Sequence, residues 1–188
     1  MLLVASRKED LEPRLEVFES ADLLPAYMDV DLFAKANAFS YWINQHAPEL
    51  EDEKIAVIEI GDSQMQAIVT QNGQILYKQE TAVSNDQLIQ LIQRTYQLSE
   101  EQAETMKNTQ DKPADYQSQI ADRFNIQVAQ EVQRVLQFYY TTQPSDQFSS
   151  VRHIFLTGSA SQQIGLAETV FSQTNTASQC VSPVTYTD

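Results

Sequence analysis

The spacing of apolar residues along this chain changes several times, and each change predicts an element. Leu2–Ala5 reads as a short buried strand. Ser6 and Glu9 then make a capping-box pattern, and Leu11, Leu15, Phe18 and Ala21 follow at helical spacing. Pro25 marks a turn, Ala26–Val30 reads as a second strand, and Asp31 stands where it can cap a helix. The buried face of that helix would carry Phe33, Ala36, Phe39 and Ile43. Pro48 to Glu53 is an acidic connector and the best candidate domain boundary. Residues 55–60 are apolar on both faces, which suits a central strand, and a tight turn follows at Gly61. Met65–Thr70 forms the next strand. Asn72-Gly73 is a strong hairpin signal, because a type I′ turn needs positive φ at both central residues. A third strand starts at Ile75.

Helical spacing returns after Thr81. Ser84 and Gln87 form a second capping box before Leu88, Leu91, Ile92 and Thr95, with the helix ending near Leu98. Ser99 and Gln102 open a short helix, and the polar residues 108–114, with Pro113, read as an exposed loop. A long helix is predicted from about Asp115 to Thr141. Its stripe of Tyr116, Ile120, Phe124, Val128, Val132, Val135 and Tyr139 reads as core packing. His153–Leu156 is a strand, Thr157-Gly158-Ser159-Ala160-Ser161 a loop, Ile164–Phe171 a helix and Val181–Val184 a last strand. This order, βαβα, then βββα, a helical insertion, αβα and a final β, resembles the actin-like ATPases, in which one half reads βββαβαβα. The expected fold is therefore α/β: a partial actin-like (ribonuclease H-like) fold with a mixed five-stranded sheet and helices on both faces. Residues 1–50 are expected to be the C-terminal portion of a first subdomain. Residues 51–188 are expected to be a second, with a helical insertion around 98–114. On this reading the chain begins in mid-domain.

Composition narrows the function classes. Apolar residues make up 42% of the 188, enough for a real core. No apolar run reaches the roughly 18 residues that span a bilayer. The first apolar run is broken at Arg7, Lys8, Glu9 and Asp10, unlike a signal peptide. A net charge of −14 would repel phosphate backbones and argues against nucleic acid as a partner. Cys180, the single cysteine, has no internal disulfide partner, which fits a reducing compartment.

Two loops carry candidate chemistry. In Glu59-Ile60-Gly61-Asp62-Ser63, the strand-end carboxylate can hold a metal-bound water, and backbone N–H groups from Gly61 to Ser63 can face a phosphate. Alternatively this is a plain hairpin turn. Gly158-Ser159-Ala160-Ser161 lies between a buried strand and a helix, where anions or ligand edges are favoured. An actin-like fold would bring both loops to one cleft. Only 4 glycines occur, so the chain has few positions at which backbone alone can cradle phosphate. His46 and His153 lack ligand partners at metal spacing and read as structural, and Cys180 lacks a neighbour to activate it. There is no serine-nucleophile elbow and no Walker lysine loop. No catalytic residue and no metal ligand set is assigned.

The motifs, taken in order, resemble the PilM family of actin-like, FtsA-related type IV pilus assembly proteins, with the related competence proteins. The resemblance rests on Leu2-Leu3-Val4-Ala5-Ser6-Arg7-Lys8-Glu9, Asp29-Val30, Ala36-Asn37-Ala38-Phe39, Glu59-Ile60-Gly61 and Gln71-Asn72-Gly73-Gln74-Ile75. It continues through Gln87-Leu88, Arg94-Thr95-Tyr96, Leu136-Gln137-Phe138-Tyr139-Tyr140, His153-Ile154-Phe155-Leu156-Thr157-Gly158 and Gly165-Leu166-Ala167-Glu168. It implies a cytoplasmic scaffold docked at the bacterial inner membrane, not inserted in it. Such a scaffold binds the short cytoplasmic N-terminal segment of a PilN-like membrane protein and links the alignment complex to the pilus motor. It also implies ATP with Mg in the full-length protein, with Glu59, Gly61, Asp62 and Ser63 on the phosphate side. Gly158, Ser159 and Ala160 would lie on the adenosine side.

The chain departs from the family at several of these positions. Glu59 stands for the usual aspartate and is one methylene longer; Gln64 and Gln66 stand for small hydroxyl residues. Ser84-Asn85 stands for Gly-Gly, and Ser159 for the second glycine of the adenosine loop. Added side chains there crowd a nucleotide, so degenerate ATP binding without hydrolysis by this chain is expected. The rival reading is an actin-like ATPase or sugar-kinase-like enzyme with real turnover, and a third is a partner-binding module without nucleotide.

Overall fold

The computed structural model describes residues 5–142 and 150–182. Contacts divide the chain into two compact units, Met1–Ala34 and Lys35–Asp188.

The first unit holds helix α1 (Lys8–Ser20) and the start of helix α2 (Asp31–His46). The expected capping box at Ser6 does not form. Arg7 is the N-cap residue and makes no side-chain cap bond, while the Ser6 hydroxyl donates to the Arg7 carbonyl at 3.5 Å. No residue of α1 is buried within the described chain, and Val17, Phe18, Leu24, Tyr27 and Met28 are exposed. The predicted strand at Ala26–Val30 is irregular chain, because no described strand lies beside it to complete a ladder. Most of the predicted strand Leu2–Ala5 lies outside the described residues.

The second unit is built on one sheet. Its strands are β1 (Ile55–Ile60), β2 (Met65–Gln71), β3 (Gln74–Thr81), β4 (His153–Thr157) and β5 (Ala177–Cys180), in spatial order β3-β2-β1-β4-β5. β1 pairs antiparallel with β2, and β2 with β3; β1 pairs parallel with β4, and β4 with β5. The mixed five-stranded sheet is thus as expected, with its last strand ahead of the predicted Val181–Val184. The hairpin forms where Asn72-Gly73 predicts it, with φ of 51° and 72° at the two residues. β1 lies in the middle and is buried along nearly its whole length, which explains its run of apolar residues.

Alternation along the strands sorts the side chains to two faces. Ala56, Ile58 and Ile60, with Met65, Ala67, Val69, Ile154 and Leu156, join one core with helices α3 (Asn85–Tyr96), α5 (Asp122–Thr142) and α6 (Leu166–Thr174). The predicted stripe from Tyr116 to Tyr139 is fully inside it. The long helix begins with one π turn, Gln117–Ala121, so α5 proper starts at Asp122. On the other face Phe155 packs against Phe39 and Trp42 of α2, with ring centroids 6.0 and 5.3 Å away. In α2 the buried residues are Ala36, Phe39, Trp42 and Ile43, so Trp42 rather than Phe33 completes the stripe.

Capping follows the available partners. Ser84 accepts from the Gln87 N–H, but the box is not closed, because the Gln87 side chain accepts from Gln127. At Ser99 both halves of the box are present, and helix α4 (Glu100–Asn108) starts there.

Tyr139 is fully buried, and among the described residues its hydroxyl has no hydrogen-bond partner. Burial accordingly raises its pKa. A buried hydroxyl without a partner costs about 1–3 kcal/mol. Tyr139→Phe is therefore expected to leave stability unchanged or raise it by about 1 kcal/mol. Urea unfolding of the two proteins checks this; a loss above about 1 kcal/mol would show that the hydroxyl has a stabilising partner.

Candidate functional site

β1 and β4 run parallel, so their carboxyl ends open at the same edge of the sheet, where ligands of α/β proteins collect. The loop after β1 carries Gly61, Asp62 and Ser63; the loop after β4 carries Gly158, Ser159 and Ala160. The structure brings the two together. The Ser159 hydroxyl donates to Asp62 Oδ1 at 2.7 Å, and the Ala160 N–H donates to the Ile60 carbonyl at 3.3 Å. Gly158 makes this approach possible: it has φ of 98°, and a Cβ there would lie 2.4 Å from the Ile60 carbonyl oxygen.

The start of α3 closes the turn from a third side. Asn85 and Asp86 donate their N–H groups to the carbonyls of Gly61 and Asp62, each at 2.9 Å. The Gly61 N–H is used within the turn, donating to Gln64 at 3.0 Å. Asp62, Ser63 and Ser159 are exposed, while the Ala160 side chain is buried in the core.

A cation joins this group from α4. Lys107 Nζ donates to Asn85 Oδ1 at 2.8 Å and to the Ser159 carbonyl at 3.4 Å. The helix that carries it is fastened at both ends. The Ser99–Gln102 box closes its start. At its end Lys112 Nζ donates to the carbonyls of Met106, Lys107 and Thr109 at 2.8 to 3.1 Å. Burial lowers the Lys112 pKa, and its ammonium stands 4.8 Å over the Tyr116 ring. Tyr116 donates to Gln163 at 3.1 Å, and burial pushes its pKa up to about 12.

Glu59 stands apart from the other six. Strand alternation turns it to the α2 face, where it forms an ion pair with Lys35. Lys35 also donates to Gln66 at 3.0 Å, and Gln66 donates to Glu80 at 3.3 Å. Among the described residues no group of three His, Cys, Asp or Glu is arranged to hold a metal ion. Sequence reasoning missed Lys107 and Lys35, and singled out Asn85 only as a departure from Gly-Gly. A lone lysine on a polar helix carries no motif, and its role emerges only when the fold brings that helix to the loops. His153 lies at the opposite end of β4, where burial lowers its pKa; Cys180 ends β5 at this edge, its Sγ donates to the Ser161 carbonyl at 3.1 Å, and burial raises its pKa.

Comparison with known proteins places this chain in a family. The family model described as type IV pilus assembly protein PilM matches residues 1–187. A solved PilM-PilN type IV pilus biogenesis complex superposes with a TM-score of 0.75 at 22% identity, covering 95% of this chain and 49% of that one. The ethanolamine utilization protein EutJ from Carboxydothermus hydrogenoformans gives 0.69 at 18% identity, covering 94% and 57%. MreB5 of Spiroplasma citri, solved with AMPPNP, gives 0.67 at 11% identity, covering 94% and 60%. The fold is actin-like. The chain spans about half to three-fifths of the length of these solved relatives. Among the described residues, no helix is long and apolar enough to cross a membrane.

Proposed function

This chain belongs to the PilM family of type IV pilus assembly proteins, and from that premise we propose that it is a scaffold of the pilus machine. It docks the cytoplasmic N-terminal segment of a PilN-like inner-membrane protein and connects the alignment complex to the motor. It works at the cytoplasmic side of the inner membrane. The observation that carries the reading is the family match along residues 1–187, supported by the likeness to a protein solved in complex with PilN.

Nucleotide, in this reading, is a conformational ligand rather than a substrate turned over fast. The loop edge fits that role in part. Lys107 offers an ammonium to an anionic phosphate, and Asp62 and Ser159 offer an acceptor and a hydroxyl to a sugar. The same contacts weaken it, because Ser159 and Asp62 already satisfy each other and Lys107 is engaged by Asn85. A ligand must break these bonds before it gains its own. ATP binding is therefore degenerate, in the millimolar range or weaker, about 4 kcal/mol at most.

Two measurements test the proposal. Titration of the full-length protein with a synthetic peptide of the PilN-like cytoplasmic segment is expected to give saturable binding. A protein that ignores the peptide would overturn the scaffold reading. Fluorescent ATP analogue is expected to bind weakly, and Ser159→Gly to bind it at least about threefold more tightly, because the competing bond to Asp62 is removed. Equal affinity in the two proteins would mean that the Ser159–Asp62 bond does not compete with nucleotide.

A further inference from the structure

A row of polar side chains crosses the end of the sheet on the face that α2 covers. Register sets Thr157, Glu59, Gln66 and Glu80 side by side on β4, β1, β2 and β3. Adjacent strands bring such neighbours within about 5 Å, close enough for long side chains to share one cation. Lys35 of α2 supplies that cation. Its ammonium pairs with Glu59 and donates to Gln66, whose amide donates on to Glu80. Lys35 and Glu59 are 26% and 31% exposed, so the pair is sheltered from solvent but not sealed.

An actin-like nucleotide site calls for a divalent metal near the carboxylate that ends β1. The residues present do not fit one. The carboxylate already holds a cation tethered to the protein, and a second cation there would meet the repulsion of the ammonium at close range. Its partner Gln66 is likewise engaged, with its oxygen accepting from Lys35 and its nitrogen donating to Glu80.

We infer that Lys35 is the resident counter-ion of this row, and that the protein binds no divalent metal through Glu59. Lys35 is a positioning residue: it aims Glu59 and, through Gln66, Glu80. The inference rests on the nucleotide reading only in its second arm.

The first arm uses Mn²⁺ alone as probe, followed by its electron paramagnetic resonance signal as the 188-residue chain is titrated in. Wild type is expected to show the same Mn²⁺ binding as Glu59→Gln. Lys35→Gln leaves Glu59 without its cation and is expected to bind Mn²⁺ at least about fivefold more tightly. Adding Glu59→Gln to that variant should remove the gain, and Lys35→Arg should behave as wild type. Wild-type Mn²⁺ binding that is lost in Glu59→Gln would overturn the inference. So would a folded Lys35→Gln protein that gains nothing, with folding checked by circular dichroism.

The second arm compares fluorescent ATP analogue in EDTA and in excess Mg²⁺. Equal affinity is expected, and a Mg²⁺-dependent affinity abolished by Glu59→Gln would overturn the inference. Absence of binding in both buffers would count against the nucleotide reading alone, with Mn²⁺ deciding the role of Lys35.

Discussion

Gly158→Ala is expected to destabilise the second unit by about 3 kcal/mol or more, through two mechanisms that add. The first is backbone strain. Gly158 has φ of 98°, a region that L side chains rarely adopt. The second is collision. The new methyl would lie 2.4 Å from the Ile60 oxygen, 2.7 Å from its carbonyl carbon and 2.9 Å from its nitrogen. All three atoms are backbone of the central strand, so no side chain can swing aside. The loop would have to withdraw from β1, and the Ala160 N–H to Ile60 bond and the Ser159–Asp62 bond would go with it. Gly61→Ala is the useful contrast. Its methyl would meet only the Gln64 oxygen, at 3.1 Å, within a turn that can relax, so its cost should be about 1 kcal/mol. Urea unfolding of both variants checks the difference, with the midpoint falling much further for Gly158→Ala. Equal midpoints would show that the loop rests on β1 more loosely than these distances say.

Phe155→Ala is expected to cost about 3–5 kcal/mol, the range for emptying an aromatic site in a packed core. Phe155 is fully buried and touches the rings of Phe39, Trp42 and His153, the last at 4.6 Å between centroids. It is a contact through which the sheet holds α2. The same substitution should alter the pH dependence of stability. Burial lowers the His153 pKa in the fold, with Glu49 opposing the shift in part. The unfolded chain therefore binds more protons on the acid side of about 6.5, the ordinary histidine value. Stability contributed by neutral His153 is present above that value and is lost as pH falls towards the lowered folded pKa. In Phe155→Ala water reaches the ring and the shift shrinks, so this part of the acid loss should flatten. Thermal unfolding between pH 7.5 and 5 measures both effects. An unchanged slope with the full stability loss would mean that Phe155 does not shield His153.

Much of this fold was legible because periodicity survives packing. The stripe from Tyr116 to Tyr139 and the run from Ile55 to Ile60 report burial directly, and Asn72-Gly73 reports a local backbone need. Two of the failures have different causes. The strand at Ala26–Val30 needs a partner strand, and none lies beside it among the described residues, whereas at Ser6 the cap is local and Arg7 takes the N-cap position. At the site, the Gly158 loop could be read because a glycine between strand and helix is a local signal. Glu59 was read with Gly61 because they are adjacent in sequence. Strand parity already set it opposite Ile58 and Ile60, but only the fold reveals that Lys35 waits on that side. Lys107, and the contacts of Asn85, were invisible for the same reason: their partners Ser159 and Gly61 are 52 and 24 positions away in sequence.

The placement of β4 between β1 and β5 has a consequence for the order in which this chain folds. β1 can pair with β2, and β2 with β3, as soon as the hairpins emerge, since those contacts are local. Its other edge waits for β4: Ile55 pairs with His153, about 100 residues downstream, and such distant pairing is slow. Until then the most apolar strand of the protein presents an open edge during synthesis. The helices α3 and α5, translated in the interval, can cover one of its faces but cannot satisfy its hydrogen bonds. The interval of greatest aggregation risk is thus the one that the arrival of β4 closes, and the loop that Gly158 holds against Ile60 is the seal that follows it.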